Sequence, residues 1–184
     1  MLCQVTYSKI SGAPEELVAV RSMVPLLRWA NAAPWPQVGV DVVSLDRIDR
    51  AGELAVRRFT CGEQELAALD SLAYRGPDDS LRMTAATWAV KESAIKAAGG
   101  RPDGFSWTSI YVAHDRGSIG QLATFLGDAI RDITGSSACH WCRYEWRLPA
   151  PGAHGMAAWC TADSAVWAIA VQAPTDIDCA RRGW

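Results

Sequence analysis

The chain has 184 residues, of which 49% are hydrophobic and 21% are charged, and its formal net charge at pH 7 is −2. This length suits one domain with a sizeable core, and the small net charge gives no signal of nucleic-acid or membrane binding. No apolar run approaches the roughly 18 residues of a membrane span. Glu15 and Arg21 interrupt the apolar stretch near the N-terminus, so we expect no signal peptide. We therefore predict a cytoplasmic protein with reduced cysteines.

The N-terminal region predicts a helix that stands apart from the main domain. Residues 14–31 carry apolar side chains at helical spacing, and Pro25 is expected to kink the helix. We assign 1–36 to an N-terminal extension, 37–173 to the main domain and 174–184 to a C-terminal tail.

The main domain predicts helices and antiparallel strands. In chain order, they are a strand at 37–43, a helix at 44–57 capped by Ser44, a short helix opened by the capping box Thr60-Cys-Gly-Glu63, a long helix from Ser80 to Gly99-Gly100, strands at 108–114 and 118–123, a helix at 124–134, and strands near 138–148, 156–162 and 165–172. This order indicates an α+β fold, in which an antiparallel sheet packs against the long helix and the N-terminal helix is extra.

The sequence Cys139-His-Trp-Cys142 has the spacing of half a zinc site or of a redox pair. No second such motif exists, and the segment alternates like a strand. Strand residues three apart point to opposite faces, so we expect the two thiols to diverge and to serve neither role.

The candidate chemistry lies in Trp88-Ala-Val-Lys-Glu-Ser-Ala-Ile-Lys96, read together with Asp41. Asp41 and Glu92 are carboxylates, and Lys91 and Lys96 are ammonium groups. One or two carboxylates with substrate phosphates commonly hold Mg²⁺, and lysines offset phosphate charge. Helical spacing puts Trp88, Glu92 and Lys96 on one face, with Lys91 at its border. The alternative is a Glu–Lys surface pair of a few tenths of a kcal/mol.

These motifs resemble the 4′-phosphopantetheinyl transferases. The resemblance rests on Val38-Gly-Val-Asp41, the Lys91-Glu92 helix, its Lys96-Ala-Ala-Gly99 ending and the F-T-x-x-E-like stretch within 58–65. It runs from about Val38 to Val112 and resumes at 161–171. Val43 stands where the two-lobed branch has a third acid. The chain therefore resembles the small holo-(acyl-carrier-protein) synthase branch.

The resemblance implies transfer of 4′-phosphopantetheine from coenzyme A to a serine of an acyl or peptidyl carrier protein, in fatty-acid or polyketide biosynthesis. Asp41 and Glu92 would ligate Mg²⁺, Lys96 would bind phosphate and Lys91 would stabilise developing charge. The proton of the serine would pass either to Glu92 or to a metal-bound water. Adenosine 3′,5′-bisphosphate would be released.

The remaining site predictions concern nucleotide and partner contacts. Gly99 and Gly100 would let the backbone approach the nucleotide, and Trp88 is either a core residue or a ligand contact. Carrier proteins of this kind are acidic, so Arg47 and Arg50 would bind them. The alternative for the arginines is pairing within their helix, for example Asp46 with Arg50.

The chain departs from the family at two places that bear on the nucleotide. Thr87 replaces an arginine that is common before the aromatic residue of the helix, and Ala162-Asp163 replaces a Ser-His pair of the C-terminal hairpin.

Each motif occurs once, and the family closes its cleft between two lobes or between subunits. A single lobe therefore predicts a homotrimer, unless the N-terminal helix or the segment 135–158 completes the cleft within one chain. Two rival functions stay open. One is a non-catalytic module that binds coenzyme A or a carrier protein, and the other is a Mg²⁺-dependent nucleotide hydrolase.

Overall fold

The computed structural model describes residues 38–73, 77–114, 121–136, 138–147 and 154–172. The predicted helix at 14–31, the N-terminal extension and the C-terminal tail lie outside these residues. No helix within the described residues is long and apolar enough to cross a membrane.

A five-stranded sheet forms the centre of the described fold. Its strands are β1 (Val38–Ser44), β2 (Ile110–Ala113), β3 (His140–Trp146), β4 (His154–Ala162) and β5 (Ala165–Gln172). Their order across the sheet is β1-β5-β4-β3-β2, and every neighbouring pair is antiparallel. The predicted α+β class and the antiparallel sheet are confirmed.

The described part of the chain contains α1 (Leu45–Ala51), α2 (Glu53–Thr60), α3 (Glu63–Ala73), α4 (Pro77–Ala97) and α5 (Gln121–Thr134). The single helix predicted at 44–57 is wrong, because Gly52 adopts φ 82° and separates α1 from α2. The strand predicted at 118–123 is also wrong over its last three residues, which begin α5. Helix α4 starts at Pro77, three residues before the predicted start at Ser80. Proline suits the first helical position, because the N–H of that residue has no partner within the helix.

The predicted capping box at Thr60–Glu63 does not form. Thr60 is the last residue of α2, and its hydroxyl donates to the carbonyl of Val56. The start of α3 is capped at Gly62 instead of Thr60. The N–H of Gly62 donates to Oε2 of Glu65 at 2.9 Å. This carboxylate also reaches into the core, as described below.

Helices α4 and α5 cover opposite faces of the sheet. Small side chains of α4 let it lie close to the strands: Ala85, Ala86, Ala89, Val90 and Ala94 are all buried. On the other face, Leu126 and Ile130 of α5 pack against Ala158 and Ile169. Cys142 belongs to the α4 face, whereas Cys139 packs on the α5 face and contacts the carbonyl of Gly127. The two thiols of the C-x-x-C sequence therefore diverge, as predicted.

Candidate active site

Gly39 sets the distance between β1 and α4. A Cβ atom at this position would lie 1.8 Å from the carbonyl oxygen of Ser93 and 2.5 Å from the amide nitrogen of Ala97. Only glycine permits this approach of two backbones. The side chain two residues along β1, on the same face of the sheet, is Asp41. Strand and helix thus bring their charged groups together.

Asp41 and Lys96 form an ion pair at this contact. Nζ of Lys96 lies 2.8 Å from Oδ1 of Asp41 and donates to the carbonyl oxygen of Val40 at 3.0 Å. The side chain of Asp41 is 15% exposed and that of Lys96 is 32% exposed. The pair therefore sits at the edge of the core, where a ligand can reach it.

Burial and the charge of Lys96 act in opposite directions on the pKa of the Asp41 carboxyl group. Burial raises its pKa from 3.8 to about 6, although the ammonium of Lys96 acts in the opposite direction. The negative charge of Glu92 contributes to the increase, which shows that the two predicted metal ligands share one electrostatic environment. A cation between them would relieve both the burial of Asp41 and its repulsion from Glu92.

Glu92 is held by a residue that the sequence analysis did not identify. Its Oε1 lies 3.1 Å from Nη2 of Arg101. The guanidinium of Arg101 also lies 5.1 Å from the ring centre of Trp107 and 5.6 Å from that of Phe105. The signal in the sequence was the position of Arg101, directly after the two glycines that end the helix.

The residues present fit a magnesium ion that also binds substrate phosphates. Mg²⁺ is usually held by one or two carboxylates, with waters and phosphate oxygens completing its shell. Asp41 and Glu92 supply such a pair. Among the residues that the structure describes, no group of three or more His, Cys, Asp or Glu side chains is placed to hold a metal.

The structure does not place Lys91 at this site. Its side chain is 0% exposed, and Nζ donates to Oε2 of Glu65 at 2.7 Å and to the carbonyls of Thr60 at 2.7 Å and Trp107 at 3.1 Å. These acceptors use the three protons of the ammonium group. Burial lowers the pKa of Lys91, while the charge of Glu65 opposes that shift. In this arrangement Lys91 stabilises the fold, and the role predicted for it at the substrate needs correction.

Glu65 is the partner that the sequence analysis missed. Besides Lys91, it accepts the N–H of Val112 through Oε1 at 2.8 Å. One buried carboxylate thus connects α3, α4 and β2. In the sequence, Glu65 lies two residues after Glu63, the acid of the F-T-x-x-E-like stretch.

The glycines that end α4 form a Schellman motif. Gly99 donates to the carbonyl of Lys96 at 3.1 Å, and Gly100 donates to that of Ile95 at 2.9 Å. Their φ values of 87° and 134° require glycine. Within the described part of the chain, a Cβ at either position would meet nothing within 4 Å. None of these residues covers the backbone of the two glycines, which is compatible with the predicted approach of a nucleotide.

Trp88 is half-buried and belongs to an aromatic cluster. The ring centre of Trp88 lies 5.2 Å from that of Trp107. The guanidinium of Arg47, a residue of α1, lies 5.9 Å from the ring centre of Trp88. Trp88 therefore has a packing role at the border of the core, and a ligand contact remains a prediction.

The sequence model of the 4′-phosphopantetheinyl transferase superfamily matches residues 37–163. The chain belongs to this superfamily. No curated protein sequence gives a significant match.

Solved structures of the superfamily share the fold. A holo-(acyl-carrier-protein) synthase from Bacillus anthracis str. Ames, in complex with CoA (3′,5′-ADP), aligns with a TM-score of 0.50 and 18% identity over 76% of this chain and 97% of that chain. The Thermotoga maritima holo-[acyl-carrier-protein] synthase aligns with a TM-score of 0.51 and 15% identity over 80% of this chain and 74% of that chain.

The two arginines predicted to meet a carrier protein differ in their surroundings. Arg50 pairs with Asp46 at 2.9 Å, with both side chains highly exposed, so the pairing within the helix does form. Exposed pairs of this kind contribute little to stability, which leaves Arg50 available to a partner. Arg47 instead lies over Trp88.

The departures from the superfamily pattern have local structural roles here. Thr87 is buried, and its hydroxyl donates to the carbonyl of Met83 at 2.9 Å and lies 2.9 Å from Nε2 of His114. Asp163 and Ser164 adopt φ values of 50° and 60° in the two-residue turn between β4 and β5. The carbonyl of Ser164 accepts the N–H of Leu45 at 2.9 Å, which joins this turn to the start of α1.

Proposed function

We propose that the protein transfers 4′-phosphopantetheine from coenzyme A to a serine of an acyl or peptidyl carrier protein. The observation that carries this proposal is the Asp41–Lys96 pair beside Glu92, built on a superfamily fold by the close approach at Gly39. Two acids and a partly exposed ammonium at one edge of the core suit a metal-bound pyrophosphate better than a purely structural role.

The reaction breaks the pyrophosphate of coenzyme A. The oxygen of the carrier serine forms a bond to the β-phosphorus, and the leaving group is adenosine 3′,5′-bisphosphate. Such reactions depend mainly on positioning and on charge stabilisation. Mg²⁺, when bound by Asp41 and Glu92, supplies positive charge for the phosphate oxygens.

The protein's own groups position the reactants. Lys96 is already directed to the site by Asp41 and the carbonyl of Val40, which are its two acceptors among the described residues, and its third N–H would donate to a phosphate oxygen. Either Glu92 or a metal-bound water would take the proton of the serine. The open backbone at Gly99 and Gly100 borders the nucleotide. Arg47 and Arg50 on α1 face the acidic carrier.

The rival functions lead to different products. A non-catalytic module would bind coenzyme A or the carrier without changing either, and a hydrolase would consume coenzyme A without modifying the carrier. A non-catalytic module does not need both Asp41 and Glu92, and both acids are present.

Mass spectrometry of a carrier protein incubated with this chain, coenzyme A and Mg²⁺ tests the proposal. We expect the carrier to gain one phosphopantetheine group at its serine, and a carrier with that serine changed to alanine to gain none. Consumption of coenzyme A with an unmodified carrier would favour the hydrolase. Binding without any product would favour the non-catalytic module.

A further inference from the structure

The structure assigns Glu92 a cationic partner at the atoms where a metal is expected. Nη2 of Arg101 lies 3.1 Å from Oε1 of Glu92. The other side of the guanidinium lies within cation–π distance of Phe105 and Trp107. The side chain of Arg101 is nevertheless 55% exposed. It is therefore fixed in place without being enclosed.

A metal bound through Oε1 of Glu92 would compete with Arg101 for this oxygen. When a metal takes the carboxylate, Arg101 loses its negative partner, while the aromatic rings still hold it at the site. A guanidinium has a fork of N–H donors that fits phosphate oxygens. Its nearest new partner would be the phosphate that arrives with the metal.

The charges at the site support such an exchange. In the structure, the carboxylates of Asp41 and Glu92 are paired with the cations of Lys96 and Arg101, one to one. A magnesium ion brings two positive charges, and the pyrophosphate bridge of coenzyme A brings about two negative ones. Every charge keeps an opposite charge beside it if the two carboxylates bind the metal and the two cations bind the phosphates.

We propose that Arg101 is a second phosphate-binding cation of this site, which Glu92 holds until a metal displaces it. The inference rests on the proposed function, because it takes Glu92 as a metal ligand and coenzyme A as the source of the phosphates. It gives Arg101 two measurable effects of opposite sign. Arg101 competes with the metal for Glu92, and it strengthens the binding of coenzyme A.

Two binding measurements on Arg101→Gln separate these effects. Without coenzyme A, titration with Mn²⁺, which accepts the same oxygen ligands as Mg²⁺, is expected to show several-fold tighter binding than in the wild type. With saturating Mg²⁺, the dissociation constant of coenzyme A is expected to rise about tenfold, the effect of losing one hydrogen bond to a charged group. Arg101→Lys keeps the charge, so its coenzyme A affinity should lie between the two.

Arg131→Gln is the matched control. Arg131 is 53% exposed and pairs with Asp128 at 2.7 Å on α5, which lies on the opposite face of the sheet. Its loss should alter neither affinity. Thermal unfolding of each variant shows whether a change reflects the site or the fold.

A purely structural role for Arg101 predicts weaker Mn²⁺ binding or none of these changes, and either result would overturn the inference. If the wild type transfers phosphopantetheine while Arg101→Gln matches it in both titrations, this inference alone fails. A wild-type chain that does not bind coenzyme A would refute the proposed function and the inference together.

Discussion

Two lysines of one helix, five residues apart, have different surroundings. Lys91 is enclosed by Glu65 and two carbonyl groups, whereas Lys96 reaches the edge of the core and meets Asp41. The helical repeat points them in different directions, and the groups around Lys91 come from α2, α3 and a 3-10 turn at 107–109. A buried ion pair is worth little as a pair, but removal of one partner leaves an uncompensated charge.

Lys91→Met is therefore expected to destabilise the protein by about 3–5 kcal/mol. The double variant Lys91→Met/Glu65→Leu should recover part of this loss, because no buried charge then lacks a partner. Urea unfolding gives both values. A Lys91→Met variant with normal stability but an increased KM for coenzyme A would show that Lys91 acts on the substrate, as the sequence predicted.

The raised pKa of Asp41 implies that the stability of the protein depends on pH. Its pKa in the folded chain, about 6, exceeds the ordinary value of 3.8, so the folded state binds this proton more tightly than the unfolded state does. The contribution of the group to stability is therefore greatest at acidic pH and falls as pH rises through about 6, by about 3 kcal/mol in total.

We expect the free energy of unfolding of the wild type to fall relative to that of Asp41→Asn between pH 4 and pH 7 in metal-free buffer. Urea unfolding of both proteins at several pH values measures this difference. A wild type that gains stability over Asp41→Asn with rising pH would show that the attraction of Lys96 outweighs burial.

At the scale of elements, the site depends on how closely β1 lies to α4. Gly39→Ala would place a methyl group on the carbonyl of Ser93, so the strand must move away from the helix. We expect a loss of stability of about 1–3 kcal/mol, together with loss of transfer activity, because Asp41 moves away from Lys96. Unfolding and activity are measured on the same preparation.

Gly155→Ala is the control for this experiment. A Cβ at Gly155 would lie 2.3 Å from the ring of Tyr144 and 2.3 Å from the carbonyl of Val171, so the steric conflict is comparable but lies elsewhere in the sheet. The folded fraction of this variant should keep its activity. Equal losses of activity in the two variants would mean that the approach at Gly39 has no special part in the site.

The sequence predicted the elements that carry a periodic pattern, and it failed where one side chain decides the structure. The long helix, the C-terminal hairpin and the divergence of Cys139 and Cys142 follow from spacing alone. The break at Gly52 was missed, because a glycine within a helical pattern is compatible with either outcome. Among the charged groups, Asp41 and Lys96 were predicted correctly to lie together, whereas the partners of Lys91 and Glu92 come from distant segments that no local pattern specifies.

At the scale of the whole molecule, the described fold has a single lobe. The Asp41–Lys96 pair is partly exposed, and none of the described residues lies within 4 Å of a Cβ placed at Gly99 or Gly100. We expect three chains of 19.9 kDa to associate, so that a neighbouring subunit closes each site. Light scattering after size exclusion gives the mass directly. A fully active monomer at the assay concentration would mean that this chain completes its own cleft.

Asp41 and Glu92 are the two carboxylates that the protein would contribute to a metal-phosphate site. The most direct measurement is the rate of Mg²⁺-dependent transfer to a carrier serine by Asp41→Ala and Glu92→Ala, with circular dichroism to confirm that each variant is folded. We predict that either substitution lowers the rate at least about 100-fold, since loss of a charge-stabilising group in an active site commonly has an effect of this size. Near-normal transfer by either folded variant would contradict the account.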